Sequence, residues 1–373
     1  MIRIAFLLLA LGATAGPIIV VKCVDAVATE PWLDTDYQRR AKITFLASQV
    51  GTTMTTAVVL IDLADLAATY HANVQADADD TRASAADKTS ALHVDLEDYD
   101  AGADTGSLWV YVGTISSSVN TDIFIYYDHA SGGAYGSPQD VWDATGASYM
   151  GVYHMGSTAT SAQPSATGVA AIDADAYNFE SGDLIAGKIG DCIDFDGSNE
   201  YYSVPASDAT TNLRPDTTFT AMCYFKADDF SDGVIFQGSG NSTSAGYGAW
   251  IWSSNLRPSL GNGGNVWTSG TYATASLSTS NWYHYAFTWD GSNARIYLDG
   301  VAIANSPQTE TGSWSWSSQP FFLGRRESAG YYHGKLDEVR VIDRTMTANE
   351  IAWIEQNLND PSTTYTVAAE ETQ

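Results

Sequence analysis

At 373 residues the chain is long enough for two domains with substantial cores. Its 44 acidic residues against 17 basic ones leave a formal charge of −27, which repels phosphate backbones and argues against a nucleic-acid partner. Abundant glycine, tryptophan and tyrosine with few helix-favouring charged runs point to turn-rich all-β material, and the acidic surface suits an extracellular setting.

Residues 1–28 read as a secretory leader. Arg3 gives a positive start, residues 4–21 are apolar, and Ala26-Val27-Ala28 places small residues before Thr29. The rival is an uncleaved N-terminal anchor, since the apolar run is about spanning length. A membrane is therefore a partner only if that segment is retained, and the rest of the chain is expected to be extracellular or on the cell surface. Cys23 would leave with the leader. Cys192 and Cys223 remain in strand-like segments, where they either pair or stay as buried thiols.

Residues 32–130 form a first unit. QRRAKITFLA, TAVVLIDL, HVDLEDYD, SLWVYVGTI and TDIFIYYDHA are strand-like, and the polar stretch 76–91 interrupts them. Short strands with turn signals predict a β-sandwich of unknown function. Residues 131–148 read as a linker, 149–358 as a second β-sandwich domain, and 359–373 as a flexible acidic tail. Within the second unit, residues 284–300 form a hairpin with Tyr285, Phe287 and Trp289 on one face. TANEIAWIEQNL predicts a helix opened by a Thr347/Glu350 capping box, with Ile351, Ile354 and Leu358 facing the core.

Several motifs in the second unit occur in one order: YHMG, GKIGDCIDFDGSNEYYSVP, FTAMCYFKAD, WYHYAFTWDGSNARIYLDG, FFLGRR and GKLDEVRVIDRTMTANEI. Together they resemble the laminin-G-like, concanavalin A-like lectin/glucanase jelly-roll family over about 149–358. PWLDTDYQRRAKITF, VLIDLADL and IFIYYDHA resemble an uncharacterised bacterial domain that often precedes such a jelly roll. The resemblance implies two curved antiparallel sheets packed face to face, with the aromatic side of the hairpin in the core.

Catalysis is not expected. Glycosidases need two carboxylates flanking the scissile bond. In KLDEVRVIDR, Asp337 and Glu338 are adjacent, so a regular strand would point them to opposite sides. Asp337 reads as ordering loops or binding a cation, and Glu338 as solvated or paired with Arg340. His154, His284 and His333 are scattered, with no Ser-Gly elbow nearby.

Calcium is the cofactor expected, since it takes carboxylate, amide and carbonyl oxygens from turns. Asp196 and Asn199 lie on the FDGSNE turn, and the resemblance pairs their strand with the one carrying Asp337. These three are the candidate metal ligands. The plain alternative is that Asp196 and Asn199 only shape the turn. Asp228, Asp229 and Asp232 form a second acidic loop, read as solvated.

Ligand contact is expected from loops. Trp267 and Tyr272, in NGGNVWTSGTY, and Trp314 and Trp316, in TGSWSWSSQP, put aromatic faces in Ser/Gly-rich segments where sugar rings can stack. The functional expectation is a non-catalytic secreted or surface protein that binds carbohydrate, such as a cell-surface glycan, or mediates adhesion. The alternatives are a structural subunit of an extracellular assembly or virion, for which a homo-oligomer would be the sign, and a glycosidase-like enzyme.

Overall fold

Strand alternation sets the architecture. In Phe219–Ala227, Ala221, Cys223 and Phe225 join one hydrophobic core while Met222 and Tyr224 join another. A strand that is apolar on both faces must be covered on both faces, so its sheet lies in the interior of a stack.

The structure is a computed structural model that describes residues 30–132, 139–143, 147–167, 172–215, 217–238, 246–252, 255–261, 277–303, 308–309, 317–327 and 330–373. The expected leader and the candidate residues Trp267, Tyr272, Trp314 and Trp316 lie outside these described residues. Among the described residues, no helix is long and apolar enough to cross a membrane.

The second unit is a two-sheet sandwich. One sheet has nine strands. Its main path runs Leu184–Ala186, Asp191–Asp196, His333–Ile342, Phe219–Ala227, Tyr283–Trp289, Asn293–Leu298 and Val301–Ala302. Tyr149–Tyr153 pairs with His333–Ile342, and Gln308–Thr309 with Asn293–Leu298. The other sheet has six strands, ordered Asn255–Leu260, Tyr247–Trp252, Gly233–Gly238, Phe321–Leu323, Tyr201–Val204 and Asp175–Tyr177. Tyr285, Phe287 and Trp289 of the hairpin lie in the core between the sheets, as the alternation predicts.

The first unit is also β-sheet on β-sheet. Arg39–Phe45, Thr121–Tyr127, Arg82–Ala85 and Ala91–Leu92 belong to a six-stranded sheet, and Met54–Asp62, Thr105–Ile115 and Val94–Asp100 form a three-stranded one. Ala57, Val58, Val59, Leu60 and Ile61 are all buried, because the three-stranded sheet is covered on both sides. Its second cover is the outer face of the nine-stranded sheet together with the helix Ala348–Asn359, which has the predicted capping box. Asn357 on that helix docks like a strand partner. Its Oδ1 accepts from Leu60 N at 2.8 Å, and its Nδ2 donates to Leu60 O at 3.1 Å. Residues Trp32–Gln373 thus form one compact unit.

Two expectations change. Residues 359–373 are not a free tail. Tyr365–Val367 and Glu371–Thr372 pair with Arg39–Phe45, extending the N-terminal sheet. The polar composition concealed one anchor. Tyr365 is buried against Phe45, accepts from Asp62 N at 3.1 Å and donates to Asp65 at 2.7 Å. The linker is likewise partly core, since Gln139–Trp142 is a helical turn that buries Val141 and Trp142. Cys192 and Cys223 are free and buried. Their strands both flank His333–Ile342, which puts two strand spacings, about 10 Å, between them and beyond disulfide reach.

Tyr365→Ala should therefore destabilise the protein by about 3–5 kcal/mol, read by chemical denaturation, and a chain ending at residue 360 should lose at least as much. A second expectation concerns His284, buried beside Tyr224 with no hydrogen-bond partner on either ring nitrogen among the described residues. Burial, with Arg340 adding, pushes its pKa down to about 3. The unfolded chain takes up that proton near pH 6.5 and the folded chain does not. Stability should fall as the pH drops from about 6.5 towards 3, by up to about 1.4 kcal/mol per pH unit from this group. His284→Leu should flatten that slope in pH-resolved denaturation.

Candidate functional site

Two arrangements of side chains stand out. The first is a polar knot between the two sandwiches, and a bulge creates it. Met222 pairs with Arg340 and Tyr224 with Asp337, so His333–Ile342 carries one residue more than its partner. Glu338 absorbs the extra residue with φ +50°. Leu336, Val339 and Val341 keep their places in the jelly-roll core, while Asp337, Glu338 and Arg340 all turn towards the N-terminal sandwich. A regular strand would have put Asp337 and Glu338 on opposite faces, as the sequence led us to expect. The bulge re-aims them to one side.

Across from them lie Asp95 and Glu97 from Val94–Asp100, and His154 follows Tyr149–Tyr153. His154 Nδ1 is 2.5 Å from Glu338 and 3.5 Å from Glu97, and its Nε2 is 3.3 Å from Asp95. Trp109 Nε1 donates to Glu97 at 2.7 Å, and Trp142 Nε1 donates to Asp95 at 2.8 Å. Arg340 pairs with Glu338 at 2.5 Å and packs its guanidinium over Trp109 and Trp142 at 4.5 and 5.1 Å. The indole rings also flank His154, at 5.6 and 5.5 Å.

Low dielectric makes these charges act strongly on each other. Burial pushes the Glu97 carboxyl well up, and Glu338 and Asp337 add to it against the pull of His154. For His154, burial opposes the charge, but Glu338 and Glu97 outweigh it and raise the imidazole. Burial likewise opposes ionisation of Glu338, and His154 and Arg340 overcome it and hold this carboxyl low. Asp337 is driven well up by burial and by Glu338. A cleft of about 320 Å³ opens onto Asp95, Glu97 and His154, and Gln163 and Ser165 also line it.

The second arrangement is an aromatic surface on the outer face of the six-stranded sheet. Tyr202, Val204, Phe321 and Leu323 point into the core, so Tyr201 and Phe322 point out. Tyr177, 40% exposed, stacks on Tyr201 with centroids 4.4 Å apart and planes at 3°. Arg325 lies 4.0 Å over the Tyr201 ring and 4.8 Å over Phe322. Its guanidinium is braced by the Arg326 and Glu327 carbonyls at 2.9 and 2.6 Å.

The expected calcium ligands do not converge. Asp196 lies opposite His333 in the sheet, whereas Ile193 lies opposite Leu336. Asp337 is therefore about four strand residues, roughly 13 Å, from Asp196. Asp196 accepts from the Ser198 and Asn199 N–H groups at 2.7 and 3.3 Å, which is turn chemistry. Asp337 Oδ2 instead accepts from Lys188 and Ile189 N–H at 2.8 and 3.0 Å and fixes that hairpin. The second acidic loop is partly paired, Asp228 with Lys335 at 2.5 Å and Asp229 with His333 at 2.8 Å. Sequence reasoning missed Asp95, Glu97, Trp109 and Trp142. The two acids had one signal, carboxylates at alternate positions in a strand beside Val94 and Leu96, HVDLEDYD.

Residues 196–352 match the laminin G-like model of the concanavalin A-like lectin/glucanases superfamily. This part of the chain is a concanavalin A-like jelly-roll domain. No curated protein sequence matches the chain. Solved structures similar to it include domain 4 of AbnA, a GH43 extracellular arabinanase from Geobacillus stearothermophilus in complex with arabinotriose. That likeness has 17% identity and a TM-score of 0.43, over 56% of this chain and 98% of the other. A sialidase from Trypanosoma rangeli is 16% identical with a TM-score of 0.43, and the match spans 65% of this chain but 42% of the sialidase. The binding domain of Paraclostridial Mosquitocidal Protein 1 is 11% identical with a TM-score of 0.43, over 59% and 53%.

Arg340→Met should cost about 3–5 kcal/mol, because it strands Glu338 in a buried site with only His154 as partner. Denaturation of the variant beside the parent chain measures it.

Proposed function

We propose that this is a non-catalytic secreted or cell-surface protein that binds carbohydrate through its jelly roll. The observation that carries the reading is the outward stack of Tyr177 and Tyr201 under Arg325. The apolar C–H face of a pyranose or furanose ring packs on the electron-rich face of an aromatic ring. The braced guanidinium supplies fixed donors for ring hydroxyls at one edge of that platform. A planar, preordered stack loses little freedom on binding, which suits recognition of an extended glycan. The net charge of −27 fits an extracellular surface and favours neutral over acidic glycans.

The non-catalytic part of the reading rests on how the acids are held. Glu338 is sealed and ion-paired with both His154 and Arg340, and Glu97 leans on the same histidine. Hydrolysis in most glycosidase families uses two carboxylates free to face a sugar from either side. These acids serve the joint between sandwiches instead.

A glycan array screened with the full chain tests the proposal. We expect binding that weakens at least about tenfold, or 1.4 kcal/mol, in Tyr177→Ala and in Arg325→Ala. Binding unchanged in both variants, or no binding by the folded parent, would refute it.

A further inference from the structure

We propose that the interlobe knot is a binding site for a divalent transition-metal ion, held by Glu97, His154 Nδ1 and Glu338. One ligand atom from each of these residues lies within 4.8 Å of the other two. A tetrahedral ion with bonds of about 2.0–2.2 Å keeps its ligands about 3.4 Å apart, and His154 Nδ1 is already 3.5 Å from Glu97 Oε2. The 2.5 Å contact between His154 and Glu338 would open by less than an ångström to admit it.

Each of the three groups is held from behind by its own partner. Trp109 Nε1 fixes Glu97, Arg340 fixes Glu338, and Asp95 faces His154 Nε2. A carboxylate on Nε2 keeps the proton on that nitrogen and leaves the Nδ1 lone pair for a metal. Trp142 in turn orients Asp95. Such a supporting layer is what separates a built metal site from a chance cluster.

Glu97 supplies an independent sign. Its side chain is 5% exposed, yet Oε1 has no hydrogen-bond partner among the described residues. A buried carboxylate oxygen without a donor is costly. The oxygen facing His154 is Oε2, which accepts from Trp109, so the ion would relieve the unpartnered Oε1 through two-oxygen coordination by this carboxylate. The charges agree. Asp95, Glu97 and Glu338 bring three negative charges and Arg340 one positive, so with neutral His154 these groups leave an excess of two that a divalent ion offsets, before Asp337 is counted. The donor set of one imidazole and carboxylates, without thiolate, selects zinc or a first-row neighbour over calcium, which prefers six to eight oxygens. The 320 Å³ cleft that reaches Asp95, Glu97 and His154 provides the entry path.

Glu97 comes from the N-terminal sandwich, and His154 and Glu338 from the jelly roll, so the ion would cross-link the two. The inference does not depend on carbohydrate binding. The test is a Zn²⁺ titration of the full chain after chelator treatment, by calorimetry and thermal unfolding, with Mn²⁺ and Ca²⁺ in parallel. We expect tight Zn²⁺ binding at this site and a rise in Tm. At 100 times Kd the ratio of folded to unfolded chain should grow about 100-fold.

Glu97→Gln and His154→Gln should abolish that binding, while Ca²⁺ should give no rise. Asp34, Asp36 and His129 form a second, more exposed group of possible ligands, so His129→Gln is the control and should leave the tight site intact. Should the knot variants fail to fold, X-ray absorption of the Zn²⁺-loaded parent decides, with one imidazole and oxygen ligands expected. Absence of Zn²⁺ binding, loss of the tight site in His129→Gln, its survival in Glu97→Gln and His154→Gln, or a shell with more than one imidazole would each overturn the inference.

Discussion

The guanidinium of Arg340 is 1% exposed at the centre of a protein whose surface is strongly acidic. A permanent cation there is tolerable only with a partner that is itself held. Glu338 is that partner, and it reaches Arg340 only because a bulge turns it to the same side of the strand. The indoles of Trp109 and Trp142 cover the flat guanidinium and return hydrogen bonds to Glu97 and Asp95. Remove the bulge and three buried polar groups lose their geometry together.

That joint explains why the two sandwiches behave as one body. Both faces of the three-stranded sheet are largely covered, one by its own partner sheet and the other by the jelly roll. The capped helix Ala348–Asn359 fills the same seam and mimics a strand edge through Asn357. The C-terminal strands then cross back onto Arg39–Phe45, and Arg40 Nε donates to Glu371 at 2.7 Å. The first and last described strands of this unit are therefore neighbours. With the nine-stranded sheet occupied by the N-terminal sandwich, the six-stranded sheet presents the jelly roll's other outer face. Tyr177 and Tyr201 lie on it, and Phe322 is buried there beneath Arg325.

How much was legible follows from the range of each signal. The hairpin at 283–298, the capped helix and the all-β class are written in residues two to four apart, and the structure has all of them. The motifs of the jelly roll are local too, and residues 196–352 match that superfamily. The knot is not local. Asp95, Trp109, Trp142, His154 and Glu338 are drawn from five segments, and none is unusual in its own segment. Tyr365 hid in the same way, as one aromatic in a polar tail.

The sequence by itself determined which segments become strands and which faces of them are apolar, because alternation and turn chemistry act within a few residues. It also determined the superfamily of the jelly roll. Only the tertiary structure decided that Asp196 and Asp337 are apart, since register rather than family order sets distance along a sheet. Only it decided that Asp337 and Glu338 face one way, because a bulge depends on pairing with a strand more than a hundred residues distant. Burial of charge is a property of the assembled layers, and no stretch of chain carries it alone.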